Sequence, residues 1–294
     1  MSLSFRHKSN NPIAYVEGGE LNKKVLYLHE EKHQGKDNFF DKVLLDDGTF
    51  FVHPEVRVGQ TDRIALVGSP GARKSTWIAK YLKIYHHVFP DALPTLLFTT
   101  QAEEDFDRAF KELHKDILFM HIDETMLEDR IELNDMCKKT GDKYIPRCIV
   151  FDDYVGSTRK LTEEVERLRN AIACNGRKLN FTQIVAQTDL PVKSGSYREF
   201  LSNCTHMVAF PAFAPVNLKY TLTNYFNIPE NVWAAYKKQS SSRWICVTRT
   251  GVPYIMSETM CTVFDADDEI AQLKEAEVMR KKKLKERFDS LPPY

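Results

Sequence analysis

The chain has 294 residues, 43% hydrophobic and 28% charged, which suffices for one large α/β domain or two small ones with a soluble surface. Lysine plus arginine equals aspartate plus glutamate, 41 against 41, so no net field advertises a nucleic-acid or membrane partner, although local patches remain open. The six cysteines are scattered without a C-x-x-C pair, which fits a reduced intracellular chain better than a disulfide framework.

In chain order, the start "MSLSFRHKSNNP" lacks the apolar run of a signal peptide, so a protein that is not secreted is expected. Residues 1–60 read as short strands and turns. "KVLYL" and "GTFFVHPEV" are strand-like, and the "DDG" before the second suggests a hairpin. "HEEKH", His29 to His33, satisfies the H-E-x-x-H zinc pattern, but it follows a strand-like run, is cut short by Gly35 and has charged variable positions. Those features argue against zinc.

From about residue 61, apolar strand runs alternate with helical stretches. "RIALVG" reads as a buried strand. Trp77, Tyr81, Ile84, Tyr85 and Val88 then recur at helical spacing, with Ile78 and Leu82 widening the apolar face. Pro90 and Pro94 end that helix, and "TLLFTT" is the next strand. Gln101 to Lys143 is a charged segment of mostly helical pattern. "RCIVFDDY" follows as an apolar strand ending in two carboxylates. Leu161, Val165, Leu168 and Ile172 mark a second amphipathic helix, which Gly176 is placed to stop. "FTQIVAQ" and "THMVAF" are further strands, and "RWICVTRTGVPYIM" reads as a late hairpin. The most apolar window, "MVAFPAFAPV", is interrupted by prolines and far too short to span a membrane. The alternation predicts an α/β fold with a mainly parallel central sheet flanked by helices. A β-rich extension over 1–60, a core over 61–265 and a basic helical tail over 266–294 complete the expected organisation. That tail reads first as a solvated helix and second as a DNA or capsid contact.

"GSPGARKST", Gly68 to Thr76, departs by one letter from the phosphate-loop pattern G-x-x-x-x-G-K-[ST]. Gly68, Lys74 and Ser75 are in place, and Arg73 stands where a glycine is expected. In such a loop, backbone N–H groups face phosphate oxygens at the positive end of a helix dipole, the lysine reaches the terminal phosphates and the hydroxyl serves Mg²⁺. Ser69, Pro70, Gly71 and Ala72 complete the candidate binding loop. A Cβ at Arg73 costs space, and a left-handed backbone there adds about 1–2 kcal/mol, while its guanidinium is a good phosphate partner. Asp152 and Asp153 end an apolar strand, where ligands collect in open α/β sheets: one carboxylate can serve Mg²⁺ and the other can polarise an attacking water. Gln187, at the end of a later strand, can touch both the γ-phosphate and that water.

"GSPGARKST", "CIVFDDY", "NGRKLNFTQIVAQT" and "YREFLSNCTHMVAF" together resemble viral genome-packaging ATPases of the FtsK–HerA type, over about residues 61–215. That family's G-R-H-x-x-[IL]-[ST] element has its counterpart in Gly176 to Thr182, with Lys178 in place of the histidine. The resemblance implies a RecA-like phosphate-loop domain that binds ATP and Mg²⁺ and assembles as a homo-oligomeric ring, a pentamer or hexamer. Such a ring pushes double-stranded DNA into a capsid, with capsid or portal-vertex proteins as further partners, inside a virion or a host cell. Carried over by position, Lys74 and Ser75 hold phosphate and Mg²⁺, Asp152 assists the metal, Asp153 activates water and Gln187 senses the γ-phosphate. Arg177 and Arg198 are both candidates to reach a ring neighbour's nucleotide. Lys193 and Arg198 could line a DNA channel.

Two rival readings stay open. A nucleotide or polynucleotide kinase shares the phosphate loop but leaves the Gln-ended strand without a role. A catalytically impaired assembly or regulatory protein would explain Arg73, but has no physical need for Asp152, Asp153 and Gln187.

Overall fold

In the computed structural model, residues 2–30, 39–102, 108–155, 158–191, 193–228, 230, 232–234, 242–249 and 252–263 are described. The tail expected over 266–294 lies outside these residues, as does the HEEKH motif beyond Glu30.

The core is a ten-stranded sheet. Six strands run parallel in the order His206–Ala209, Arg63–Val67, Phe181–Gln187, Arg147–Phe151, Leu93–Thr99 and Ile117–His121. On the His206–Ala209 side it continues antiparallel through Ile245–Thr248, Tyr254–Ser257, Met260–Val263 and Lys42–Leu44. The expected α/β class and central parallel sheet are therefore present, and the late hairpin is the pair Ile245–Thr248 and Tyr254–Ser257.

Strand alternation explains how both faces are covered. Ile64 and Leu66 point to one face, where helix Lys74–Val88 packs through Ile78, Tyr81, Leu82 and Tyr85. Ala65 and Val67 point to the other, which the helices Arg159–Asn175, Gly195–Asn203 and Leu218–Phe226 cover. The N-terminal residues form a four-stranded antiparallel sheet of Ser2–Ser4, Val25–His29, Pro12–Glu17 and Thr49–Val52. Its Phe51 ring packs on Trp77 of the first core helix at 5.2 Å.

Two expectations fail. The segment from Gln101 to Lys143 is not mostly helical: among its described residues are strand Ile117–His121, two four-residue helices, a 3-10 turn and a small hairpin. The apolar run "ILFM" was too short to stand out among the surrounding charges, and it gains its partner only from Leu93–Thr99. The "DDG" turn also joins no hairpin. Lys42–Leu44 pairs with Met260–Val263, whereas Thr49–Val52 pairs with Pro12–Glu17, so the chain changes sheet at the turn. Its flanks are held by Leu45 and Phe50 N–H groups donating to Thr259 and Glu258 carbonyls.

Candidate nucleotide site

Because the central strands are parallel, Val67, Phe151, Gln187 and Thr99 all end at one edge of the sheet. The loops that follow them meet there. Gly68 has no room for a side chain: a Cβ would sit 2.8 Å from the Ala72 Cβ and 3.0 Å from the Phe210 ring. Gly71 has φ 84, a conformation that glycine adopts without strain. The loop is pinned from outside by Gly68 N–H to the Gln187 carbonyl (3.1 Å) and Ser69 N–H to the Phe213 carbonyl (3.0 Å).

Arg73 caps the following helix with φ 66 and ψ 38, the left-handed conformation that its position called for. Helix Lys74–Val88 starts immediately after it, so the unpaired N–H groups of its first turn face the loop. Lys74 Nζ donates to the Gly68 carbonyl at 2.7 Å, and burial pushes its ammonium pKa down, with Asp152 and Asp153 pulling the other way. Ser75 Oγ donates to Asp152 Oδ2 at 3.0 Å across 77 residues of sequence. Asp152 is buried, and burial followed by the neighbouring Asp153 charge raises its pKa to about 6. Asp153, with φ 46, turns outward; its carboxylate accepts from the Gln101 amide.

These groups surround a cavity of about 350 Å³ lined by Pro70, Gly71, Arg73, Lys74, Ser75, Thr76, Asp152, Asp153 and Thr188. That volume lies within the usual range of about 300–1,000 Å³ for small-molecule sites. Of the expected residues, Gly68, Ser69 and Ala72 shape the loop without lining the cavity. Gln187 stands behind it, its amide donating to the Tyr154 hydroxyl and its Oε1 buried without a partner. Arg177 and Arg198 are exposed and line no part of it. Arg177 precedes strand Phe181–Gln187 and so sits at the opposite edge of the sheet.

Sequence reasoning missed Thr188 and Gln101. Thr188 directly follows Gln187 and Gln101 lies two residues beyond Thr99, both at the ligand edge, which was the available signal. It also missed Tyr154 and Arg169, whose pairing needs the fold to be seen.

The strand bearing Gln187 lies between the loop strand and the acidic strand, with Gln187 level with Val67. The chain has the RecA-like phosphate-loop fold. No protein-family profile matches it. It is 24% identical over 254 residues to "Uncharacterized protein V3" of the Sputnik virophage, covering 84% of this chain and 94% of that one. Among solved structures, EssC (ATPases 2 and 3) from Geobacillus thermodenitrificans is 14% identical with a TM-score of 0.42, over 86% of this chain. This chain spans 50% of that EssC structure. B204, the DNA-packaging ATPase from Sulfolobus Turreted Icosahedral Virus, is 11% identical with a TM-score of 0.45, over 67% of this chain and 97% of B204. The pCW3 conjugation coupling protein TcpA is 11% identical with a TM-score of 0.42, over 89% of this chain and 81% of TcpA.

Among the described residues, no group of three or more His, Cys, Asp or Glu side chains is placed to hold a metal ion. Mg²⁺ does not need one: it keeps several waters and binds through one or two protein oxygens plus substrate phosphates. The Ser75 hydroxyl and Asp152 carboxylate, adjacent on the cavity wall, fit that requirement. No helix among the described residues is long and apolar enough to cross a membrane.

Proposed function

We propose that this RecA-like chain hydrolyses ATP with Mg²⁺ and couples hydrolysis to translocation of double-stranded DNA into a viral capsid, as a homo-oligomeric ring. The observation that carries the nucleotide part is the Ser75–Asp152 hydrogen bond on the wall of a cavity floored by Lys74 and the loop. The DNA-packaging part is supported by the ordered motifs and by a similar protein in a virophage.

Lys74 and the N–H groups of the loop and first helical turn bind the phosphates. Ser75 and Asp152 would hold Mg²⁺, which would neutralise charge on the terminal phosphates. Asp153 accepts the proton of the attacking water as its oxygen bonds to the γ-phosphorus and the bond to the β-phosphate oxygen breaks, releasing ADP. Gln101 holds that carboxylate in place. Arg177 and Arg198 can act only from a neighbouring subunit, since neither lines the cavity of its own chain.

The deciding experiment is ATP turnover with and without double-stranded DNA, in the parent and in Lys74→Ala. DNA-stimulated turnover that Lys74→Ala abolishes supports the reading. Phosphate release unaltered by Lys74→Ala refutes it. Sedimentation on DNA tests the ring, and a chain that stays monomeric on DNA under turnover refutes that part.

A further inference from the structure

Beside Ile117–His121, the last strand of the core sheet, a cavity of about 600 Å³ opens between that strand and residues 128–136. Its volume is in the small-molecule range, and it shares no lining residue with the nucleotide cavity. Leu96, Leu118, Met120, Ile131 and Met136 make its walls apolar, and Leu118 is left 50% exposed. Among them stands Arg147, 8% exposed. Its Nη1 donates to the Met136 carbonyl at 2.6 Å and its Nε is buried without a partner. Nη2, which is not enclosed, makes no hydrogen bond among the described residues. Burial lowers the pKa of this guanidinium, with Cys137 and Tyr85 pulling the other way and no carboxylate among the causes. A tether to one carbonyl needs no charge, and an ion taken out of water is costly unless a counter-ion meets it. The acids at the mouth, Glu128, Asp129 and Asp135, are exposed, and Asp135 already accepts from the Glu132 N–H at 2.9 Å.

We infer that this cavity is a second binding site, for a small molecule that carries one carboxylate on an apolar body. The carboxylate accepts from Arg147 Nη2 as a charge-assisted hydrogen bond, and the body lies on Leu118, Met120 and Ile131. The acidic mouth sets the selectivity. Glu128 and Asp129 act within a Debye length of about 8 Å, so a second negative charge on the ligand is opposed and nucleotides and nucleic acid are refused. The site stands apart from the nucleotide reading, because no residue is common to the two cavities.

The test uses the full chain with ¹³C-labelled methionine methyl groups, since Met120 and Met136 line the cavity. Octanoate, octanol and suberate are titrated without nucleotide while the methyl resonances are followed. The expected result is a saturable shift of the Met120 and Met136 signals with octanoate. Octanol, which lacks the charge, and suberate, which adds a second one, should bind about tenfold more weakly. Arg147→Gln removes the charge but keeps a donor for the Met136 carbonyl, and Leu118→Asp puts a carboxylate on the apolar wall. Each should weaken octanoate about tenfold or more and leave ATP affinity unchanged. Leu118 is half-exposed, so its variant decides the matter even if Arg147→Gln does not fold. Octanoate that moves neither methyl signal, that binds no better than octanol or suberate, or that binds Leu118→Asp as it binds the parent overturns the inference.

Discussion

The Gln187 amide donates a hydrogen bond to the Tyr154 hydroxyl, joining the end of one central strand to the turn after its neighbour. The same hydroxyl accepts from Arg169 Nη1 at 2.9 Å, and Arg169 Nη2 donates on to Ser196 Oγ at 2.8 Å in helix Gly195–Asn203. Arg169 is fully buried, its guanidinium lying 5.3 Å from the Phe200 ring centre and 5.7 Å from that of Tyr197. A continuous polar path therefore runs from behind the nucleotide cavity to the helix that bears Arg198.

Tyr154→Phe keeps the ring and removes the shared acceptor, leaving the buried Arg169 donor and the part-buried Gln187 amide short of a partner. Urea unfolding should show a loss of roughly 1–3 kcal/mol. Tyr154 does not line the phosphate cavity, so turnover at saturating ATP should fall with KM for ATP unchanged. A matching rise in KM would mean that the tyrosine shapes the cavity itself.

Asp152 makes the site costly to keep empty. Its pKa rises from 3.8 to about 6, so between those values the folded chain holds a proton that the unfolded chain has released. The stability this group contributes is complete below about pH 4 and is lost as pH rises through about 6. Asp152→Asn should therefore be more stable than the parent by about 1–3 kcal/mol near neutral pH, with the gap closing toward about pH 4. Thermal melts across that range check the sign, and a gap that widens on acidification would contradict it.

Arg73→Gly should move stability and binding in opposite directions. Relief of left-handed strain is worth about 1–2 kcal/mol, offset in part by the greater freedom of glycine in the unfolded chain, about 0.5–1 kcal/mol. The variant should melt higher, yet bind ATP more weakly, because the guanidinium lining the nucleotide cavity is gone. Denaturation and titration of one preparation decide it.

The legible part of this protein was the part governed by local pattern. Lys74, Ser75, Asp152 and the central strands announced themselves through apolar runs punctuated by loop residues, and the fold brought the first three together around one cavity. Partnership was not legible. Nothing in "DDGTFF" says that Val43 pairs with Cys261 while Phe51 pairs with Tyr15. Nor does the charged pattern around Arg169 reveal a fully buried guanidinium, since its partners Tyr154 and Ser196 are 15 and 27 residues away.

Phe51 ties the N-terminal sheet to the nucleotide-binding half. Its ring lies 5.2 Å from that of Trp77, Lys80 Nζ sits 4.4 Å above it, and Lys80 also pairs with Glu17 at 2.6 Å. One buried cluster runs from Leu3 through Phe51 and Trp77 to Val208, and Lys42–Leu44 closes the edge of the core sheet. With no break in the apolar contacts, residues 1–60 should have no stable fold of their own, and the chain should unfold as one unit. Phe51→Ala should then cost about 3–5 kcal/mol and move the tryptophan-emission and far-ultraviolet dichroism transitions together. Were the N-terminal sheet separable, tryptophan emission would shift in an early step, because that sheet covers Trp77 and Trp244, while most of the dichroism was lost only later.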